Sequence, residues 1–216
     1  MNIRFAVRSS LAAIALLAAL GCATSSSDTA SADSMYAESE QGIALGQRVD
    51  GSLKLKDESG RTVTLASLYK EQPIVLTFYR GNWCPYCVKA LTEWRSRTGD
   101  LNHAGGKLVA VSLENLTELG KTQDTLNAEF TVLSDYSGKL SEFFDLTFEL
   151  DTDTQKRYAN YGINLAASNA SGTWELPVPG TFVIDTDGVI RFVYNDPNYQ
   201  IRANPEEVIR VVASID

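Results

Sequence analysis

Apolar residues along this chain alternate between two rhythms. Short runs at 74–80 (IVLTFYR), 107–113 (KLVAVSL), 130–135 (FTVLSD) and 181–185 (TFVID) are close to continuously apolar and rich in β-branched and aromatic residues. Runs of that length without polar alternation predict strands covered on both faces. A further run at 189–195 (VIRFVYN) predicts another strand, joined to the one before by the turn DTDGV at 185–189 as a hairpin. Between the strands the spacing lengthens to the helical period. Cys87, Ala90, Leu91 and Trp94 fall at i, i+3, i+4 and i+7, one apolar face of a helix that opens within WCPYC. The stretches 115–130 (NLTELGKTQDTLNAEF) and 137–146 (SGKLSEFFDL) predict further helices. A last helix over 203–215 has Asn204 as its cap, Pro205 in its first turn and Glu206 beside its N-terminus. Ahead of these, 53–65 (LKLKDESGRTVTL) predicts an N-terminal β-hairpin with a Ser-Gly turn. The order of elements predicts an α/β domain, a central mixed β-sheet with helices on both faces plus the N-terminal β-hairpin.

The first 21 residues of the 216 stand outside this pattern. Arg4 and Arg8 form a short basic start, and an uncharged apolar run from Ser10 to Leu20 follows, too short for a comfortable membrane span. The segment LAALGC at 17–22 resembles the lipobox of bacterial lipoproteins. That resemblance implies removal of residues 1–21 as a signal peptide and lipidation of Cys22; an ordinary cleaved signal and an uncleaved anchor are the alternatives. Ala23, where an aspartate would resemble an inner-membrane retention signal, implies the outer membrane of a bacterial cell envelope, with the domain facing the periplasm. Residues 22–42 are small, polar and acidic without apolar periodicity, which predicts a flexible tether to the membrane, and residues 43–216 are left as one domain. Loss of Arg4 and Arg8 takes the net charge from −8 to −10, because residues 1–21 contain no acid. An acidic domain with sparse basic clusters argues against nucleic acid as a partner.

The chain has 3 cysteines, and lipidation of Cys22 leaves only Cys84 and Cys87. A bridge across two intervening residues staples almost nothing, so the pair reads as reactive rather than structural. It sits where a buried strand hands over to a helix. There the free backbone N–H groups and the helix dipole favour a thiolate over a thiol. A zinc site would need two more ligands, and the sole histidine, His103, lies beyond the predicted helix in NHAGG and reads as an exposed turn residue. Neither a metal nor a cofactor is predicted.

FYRGNWCPYC at 78–87, VAVSLEN at 109–115, VLSD at 132–135 and LPVPGTFVIDTDGVIRF at 176–192 together resemble the peroxiredoxin-like branch of the thioredoxin-fold superfamily, the alkyl hydroperoxide reductase and thiol-specific antioxidant group. The resemblance spans roughly residues 43–216 and implies a thioredoxin-like fold. It also implies a thiol-dependent peroxidase with a hydroperoxide substrate and a thioredoxin-type dithiol reductant. The family pattern P-x-x-x-T-x-x-C puts the attacking sulfur at Cys87, with Cys84 where the threonine stands and Arg80 where the proline stands. Pro179 stands where such proteins carry an arginine; Arg80 is then a candidate replacement cation, or else a surface ion-pair residue. CPYC also resembles the thioredoxin and glutaredoxin sites. That alignment makes Cys84 the exposed nucleophile flanked by Trp83, Cys87 its buried partner, and Pro179 the counterpart of the cis-proline, while the buried thioredoxin acid falls at Phe78. It implies a membrane-tethered thiol-disulfide oxidoreductase, and a scaffold with an idle dithiol is a third reading. Arg80, Trp83, Tyr86 and Pro179 are the predicted pocket residues, and Phe78 is expected to serve the core.

Overall fold

The computed structural model describes residues 43–215; the predicted signal peptide, Cys22 and the tether lie outside the described residues. The hairpin β1 (Lys54–Lys56) and β2 (Thr62–Thr64) leads through helix α1 (Leu65–Tyr69) into β3 (Ile74–Phe78). Helices α2 (Pro85–Ser96) and α3 (Thr98–His103) carry the chain to β4 (Lys107–Ser112), and α4 (Leu116–Leu126) carries it to β5 (Thr131–Ser134). After α5 (Lys139–Phe143) comes a segment of β6 (Thr147–Glu149), α6 (Thr152–Asn160), α7 (Leu165–Ser168) and β7 (Glu175–Pro177). The chain then returns through β8 (Gly180–Ile184) and β9 (Ile190–Asn195) and ends in α8 (Pro205–Val212).

Seven strands form one sheet in the order β2-β1-β5-β4-β3-β8-β9. β3, β4 and β5 run parallel, while β8 pairs antiparallel with both β3 and β9, and β1 pairs antiparallel with both β2 and β5. The mixed sheet and the N-terminal hairpin are those the periodicity predicts. The unbroken apolar runs follow from cover on both faces. Ile74, Leu76 and Phe78 of β3 join α1 and α5 in one core, whereas Val75 joins Cys87, Leu91 and Trp94 of α2, together with α4 and α8, in the other. Phe78 is 1% exposed and packs against the rings of Phe144 and Phe182, so it is a core residue.

Two predicted helices are shorter than their windows. α4 stops at Leu126 because Asn127 takes left-handed backbone angles as its C-cap, which turns Phe130 toward β5. α5 begins only after Gly138, where the buried carboxylate of Asp135 accepts from the N–H groups of Leu140 and Ser141. His103 is exposed, as expected, but it is the last residue of α3 rather than part of a turn.

Residues 147–177 form a cap that the sequence did not announce. Among the described residues its two strands pair only with each other, and its small core of Leu150, Leu165 and Leu176 packs against Trp83, Tyr158 and Trp174. The cap is fastened to the loop after β4: Asn115 N donates to the Ser168 carbonyl at 2.7 Å, and Ala170 N donates to that of Leu113 at 2.9 Å.

Candidate active site

The chain leaves β3 at Phe78, turns through Asn82 and Trp83 with the Cys84 N–H donating to the Gly81 carbonyl at 3.1 Å, and enters α2 with Cys84 as N-cap and Pro85 at the first helical position. Proline suits that position because its missing N–H is one of the helix's unpaired donors anyway. Gly81, at φ +154°, is required by its surroundings: a Cβ there would lie 2.3 Å from Trp83 Nε1 and 2.7 Å from Glu114 Oε1. Cys87 follows in the first turn, its N–H donating to the Cys84 carbonyl at 3.0 Å. Both cysteines are free thiols, each 1% exposed. Cys84 is therefore not the exposed sulfur that the thioredoxin-type alignment expects: it lies in the core cluster of Tyr79, Cys87 and Leu91, with Trp83 packed against it.

Cys87 Sγ accepts from two donors, the backbone N–H of Arg80 and Arg202 Nη2, each at 3.4 Å. Arg202 lies in the loop between β9 and α8, where its other guanidinium nitrogen, Nη1, donates to the carbonyls of Tyr199 and Ile201. The side-chain cation in contact with the sulfur is thus Arg202, and Arg80 contributes its main chain.

Arg80 is no surface ion-pair residue. It is 4% exposed, and its guanidinium sits among the rings of Tyr199, Trp83 and Tyr158 at 4.3, 5.1 and 5.8 Å from their centroids. Ring faces attract a desolvated guanidinium, each by roughly 0.5–2 kcal/mol. Arg80 Nη2 donates to the Tyr158 hydroxyl, while Nε is buried without a hydrogen-bond partner among the described residues.

The remaining pocket residues separate. Trp83 is half-buried and meets Tyr158 edge-on at 5.6 Å. Tyr86 is 39% exposed and meets Tyr199 at 5.7 Å, which makes it part of the outer rim. Pro179 is buried immediately before β8, at the end of the sheet where β3 delivers the cysteine loop.

The two thiols are pushed in opposite directions. A hydrogen bond from the Cys87 thiol, supported by the charges of Arg80 and Arg202, lowers the Cys84 pKa to about 6, while burial pushes the Cys87 thiol up. Behind the loop, burial raises the Glu114 carboxyl to about 7 even though the Asn82 N–H donates to it at 3.0 Å.

Arg202, Tyr158, Tyr199 and Glu114 are the site residues that reading along the chain missed. Arg202 and Tyr199 lie in the polar stretch NDPNYQIRANPEE, and Tyr158 lies in a helix with a single buried residue. Glu114 stands inside VAVSLEN, where its burial next to the cysteine loop depends on pairing between distant strands.

The AhpC/TSA family pattern matches residues 46–193. The chain belongs to the AhpC/TSA family. Among curated AhpC/TSA relatives, chloroplastic peroxiredoxin Q of Triticum aestivum is 26% identical over 178 residues, covering 81% of this chain and 71% of the relative. Peroxiredoxin Q of Sedum lineare is 27% identical over 161 residues, 74% of each chain. Among solved structures, peroxidoxin BcpB from Mycobacterium tuberculosis superposes with a TM-score of 0.62 at 20% identity, covering 80% of this chain and 97% of that one. Reduced Prx3 from Vibrio vulnificus in complex with H2O2 gives a TM-score of 0.63 at 17% identity, covering 79% and 99%. The fold is therefore the peroxiredoxin form of the thioredoxin fold. Within it, this AhpC/TSA chain carries Cys84 and Pro179 where the family resemblance places a threonine and an arginine, and Arg202 reaches the sulfur from a different loop.

Proposed function

We propose that the CPYC pair is the centre of a thiol-dependent peroxidase in which Cys87 attacks the hydroperoxide and Cys84 resolves the product. The observation that carries this reading is the pair of donors on Cys87 Sγ, the Arg80 N–H and Arg202 Nη2, around a sulfur sealed from bulk solvent. Donors of this kind stabilise a thiolate where it must react. The seal admits a small peroxide far more readily than a protein disulfide.

In the resting dithiol the charge lies on Cys84 and the proton on Cys87, as the pKa directions indicate. Transfer of that proton from Cys87 to Cys84 puts the charge where the two donors wait. The Cys87 thiolate then attacks the terminal oxygen of ROOH and the O–O bond breaks. The alkoxide leaves with the proton held by Cys84, giving ROH and a Cys87 sulfenic acid. The unpartnered Nε–H of Arg80 is available to an oxygen of the bound peroxide. Cys84 thiolate next attacks the Cys87 sulfur, the S–O bond breaks, and the departing hydroxide takes a proton from solvent as water. The product is a Cys84–Cys87 disulfide, which a thioredoxin-type dithiol returns to two thiols by exchange.

A second reading has support from one observation. Cys84 is the more acidic sulfur, as a disulfide oxidoreductase of the thioredoxin type would need, but its burial opposes attack on a protein disulfide. Rapid mixing of the reduced protein with hydrogen peroxide separates the two. Under the peroxidase reading Cys84→Ser still consumes one peroxide, more slowly than wild type because the proton relay is gone, and holds a trappable sulfenic acid, and Cys87→Ser is inert. A wild type no faster than a free thiol with peroxide, yet active on a protein disulfide through Cys84, overturns it.

The LAALGC segment supports a cell-envelope setting with Cys22 lipidated and the domain facing the periplasm. Labelling of cells with a fatty-acid analogue, with Cys22→Ser as the control, tests that placement.

A further inference from the structure

Glu114 is fully buried just after β4 and has no part in the chemistry above. Its carboxylate accepts from the Asn82 N–H at 3.0 Å, from the Ser112 hydroxyl at 3.3 Å and from the Thr122 hydroxyl at 3.4 Å. Its main chain is held too: the Ser134 hydroxyl donates to the Glu114 carbonyl at 2.5 Å, and Glu114 bridges Asn169 of the cap. The buried Tyr79 faces it from beyond the end of β3. On α4, Glu118 adds negative charge, itself paired with Lys121 at 2.7 Å and bonded by the Asn82 amide. This carboxylate therefore grips the turn that delivers Cys84 and Cys87.

A second observation concerns Trp83. Its indole Nε1 is buried without a hydrogen-bond partner among the described residues, and it crowds the same space beside Gly81 as Glu114 Oε1. A buried N–H left without an acceptor is costly, and a carboxylate becomes a stronger acceptor when it ionises. Burial brings that ionisation close to neutrality.

We propose that Glu114 is a positioning residue for the dithiol: it fixes the Asn82–Trp83 turn and, as a carboxylate, draws the indole N–H of Trp83, setting the pocket wall next to Cys84. The proposal rests on the CPYC pair being the reactive centre, whichever substrate it takes. Dithiol reactivity then follows two ionisations, that of the sulfur pair and that of Glu114.

The test is a pH titration of the reduced full-length protein, read by tryptophan fluorescence and by the rate of alkylation with iodoacetamide. Wild type should show a fluorescence step near pH 7 that is absent in both Glu114→Gln and Trp83→Phe, and a matching several-fold step in alkylation that Glu114→Gln lacks. Ser112→Ala removes a donor to the ionised carboxylate and should move the step to higher pH, which keeps the test open if Glu114→Gln does not fold. A step near pH 7 that survives in Glu114→Gln beside the lower step of the sulfur pair, or a midpoint unmoved in Ser112→Ala, overturns the proposal. If the alkylation step disappears as expected while wild type ignores peroxide, positioning by Glu114 stands and the peroxidase reading falls.

Discussion

The central sheet and the cap over residues 147–177 solve opposite problems with opposite residues. β3 and β8 are buried at every position and owe their placement to apolar contact on both faces. The cap has strands of three residues and a helix, TDTQKRYAN, with one buried position, and it is held down by backbone hydrogen bonds and by Tyr158. The sheet fixes where the sulfurs are, and the cap packs against Trp83 and Arg80 beside them. A packing defect in the first should therefore register as lost stability, and a defect in the second as altered access or rate.

The largest expected effect breaks the sheet side. Phe78→Ala removes a ring packed between Phe144 and Phe182 and should cost about 3–5 kcal/mol in urea unfolding, with thiol chemistry little changed in the molecules that remain folded. Next comes the link between the two regions. Arg202→Gln takes the guanidinium from Cys87 Sγ and should slow the peroxide reaction by about 10²-fold, the usual scale for one preorganised donor, with a melting temperature close to wild type. A smaller change sharpens the role of the cap: Tyr158→Phe keeps the ring but deletes the acceptor of Arg80 Nη2, for roughly 1–2 kcal/mol of stability and faster alkylation of Cys84. The last effect is a slope with pH. Glu114 has a folded pKa of about 7, above its ordinary 4.5, so the folded state holds the extra proton between those values. Its contribution to stability is complete below pH 4.5 and is lost as pH rises through about 7, so Glu114→Gln should flatten the decline in urea midpoint across that window.

Legibility in the sequence followed the same division. Strands such as IVLTFYR were readable because burial on both faces leaves an unbroken apolar run, and Asn204 with Pro205 marked the last helix because capping is local chemistry. The cysteine pair was readable for the same reason: a strand end, a proline and two sulfurs lie within ten residues. Arg80 was singled out as a candidate pocket cation, but the cage around it was not legible, since nothing local shows that rings from residues 158 and 199 fold over it. Arg202 lies 115 residues from the sulfur it touches, in a loop without periodicity. Such partners are set by tertiary closure, to which patterns along the chain are blind.

The cage around Arg80 has a historical consequence. Its three rings come from the cysteine loop, the cap and the loop after β9, stretches that share no secondary structure and could otherwise diverge independently. One guanidinium ties their fates together. A lineage that replaces Arg80 with a neutral residue releases Trp83, Tyr158 and Tyr199 from a common constraint. In descendants of this protein those four positions should accordingly be kept as a set or lost as one.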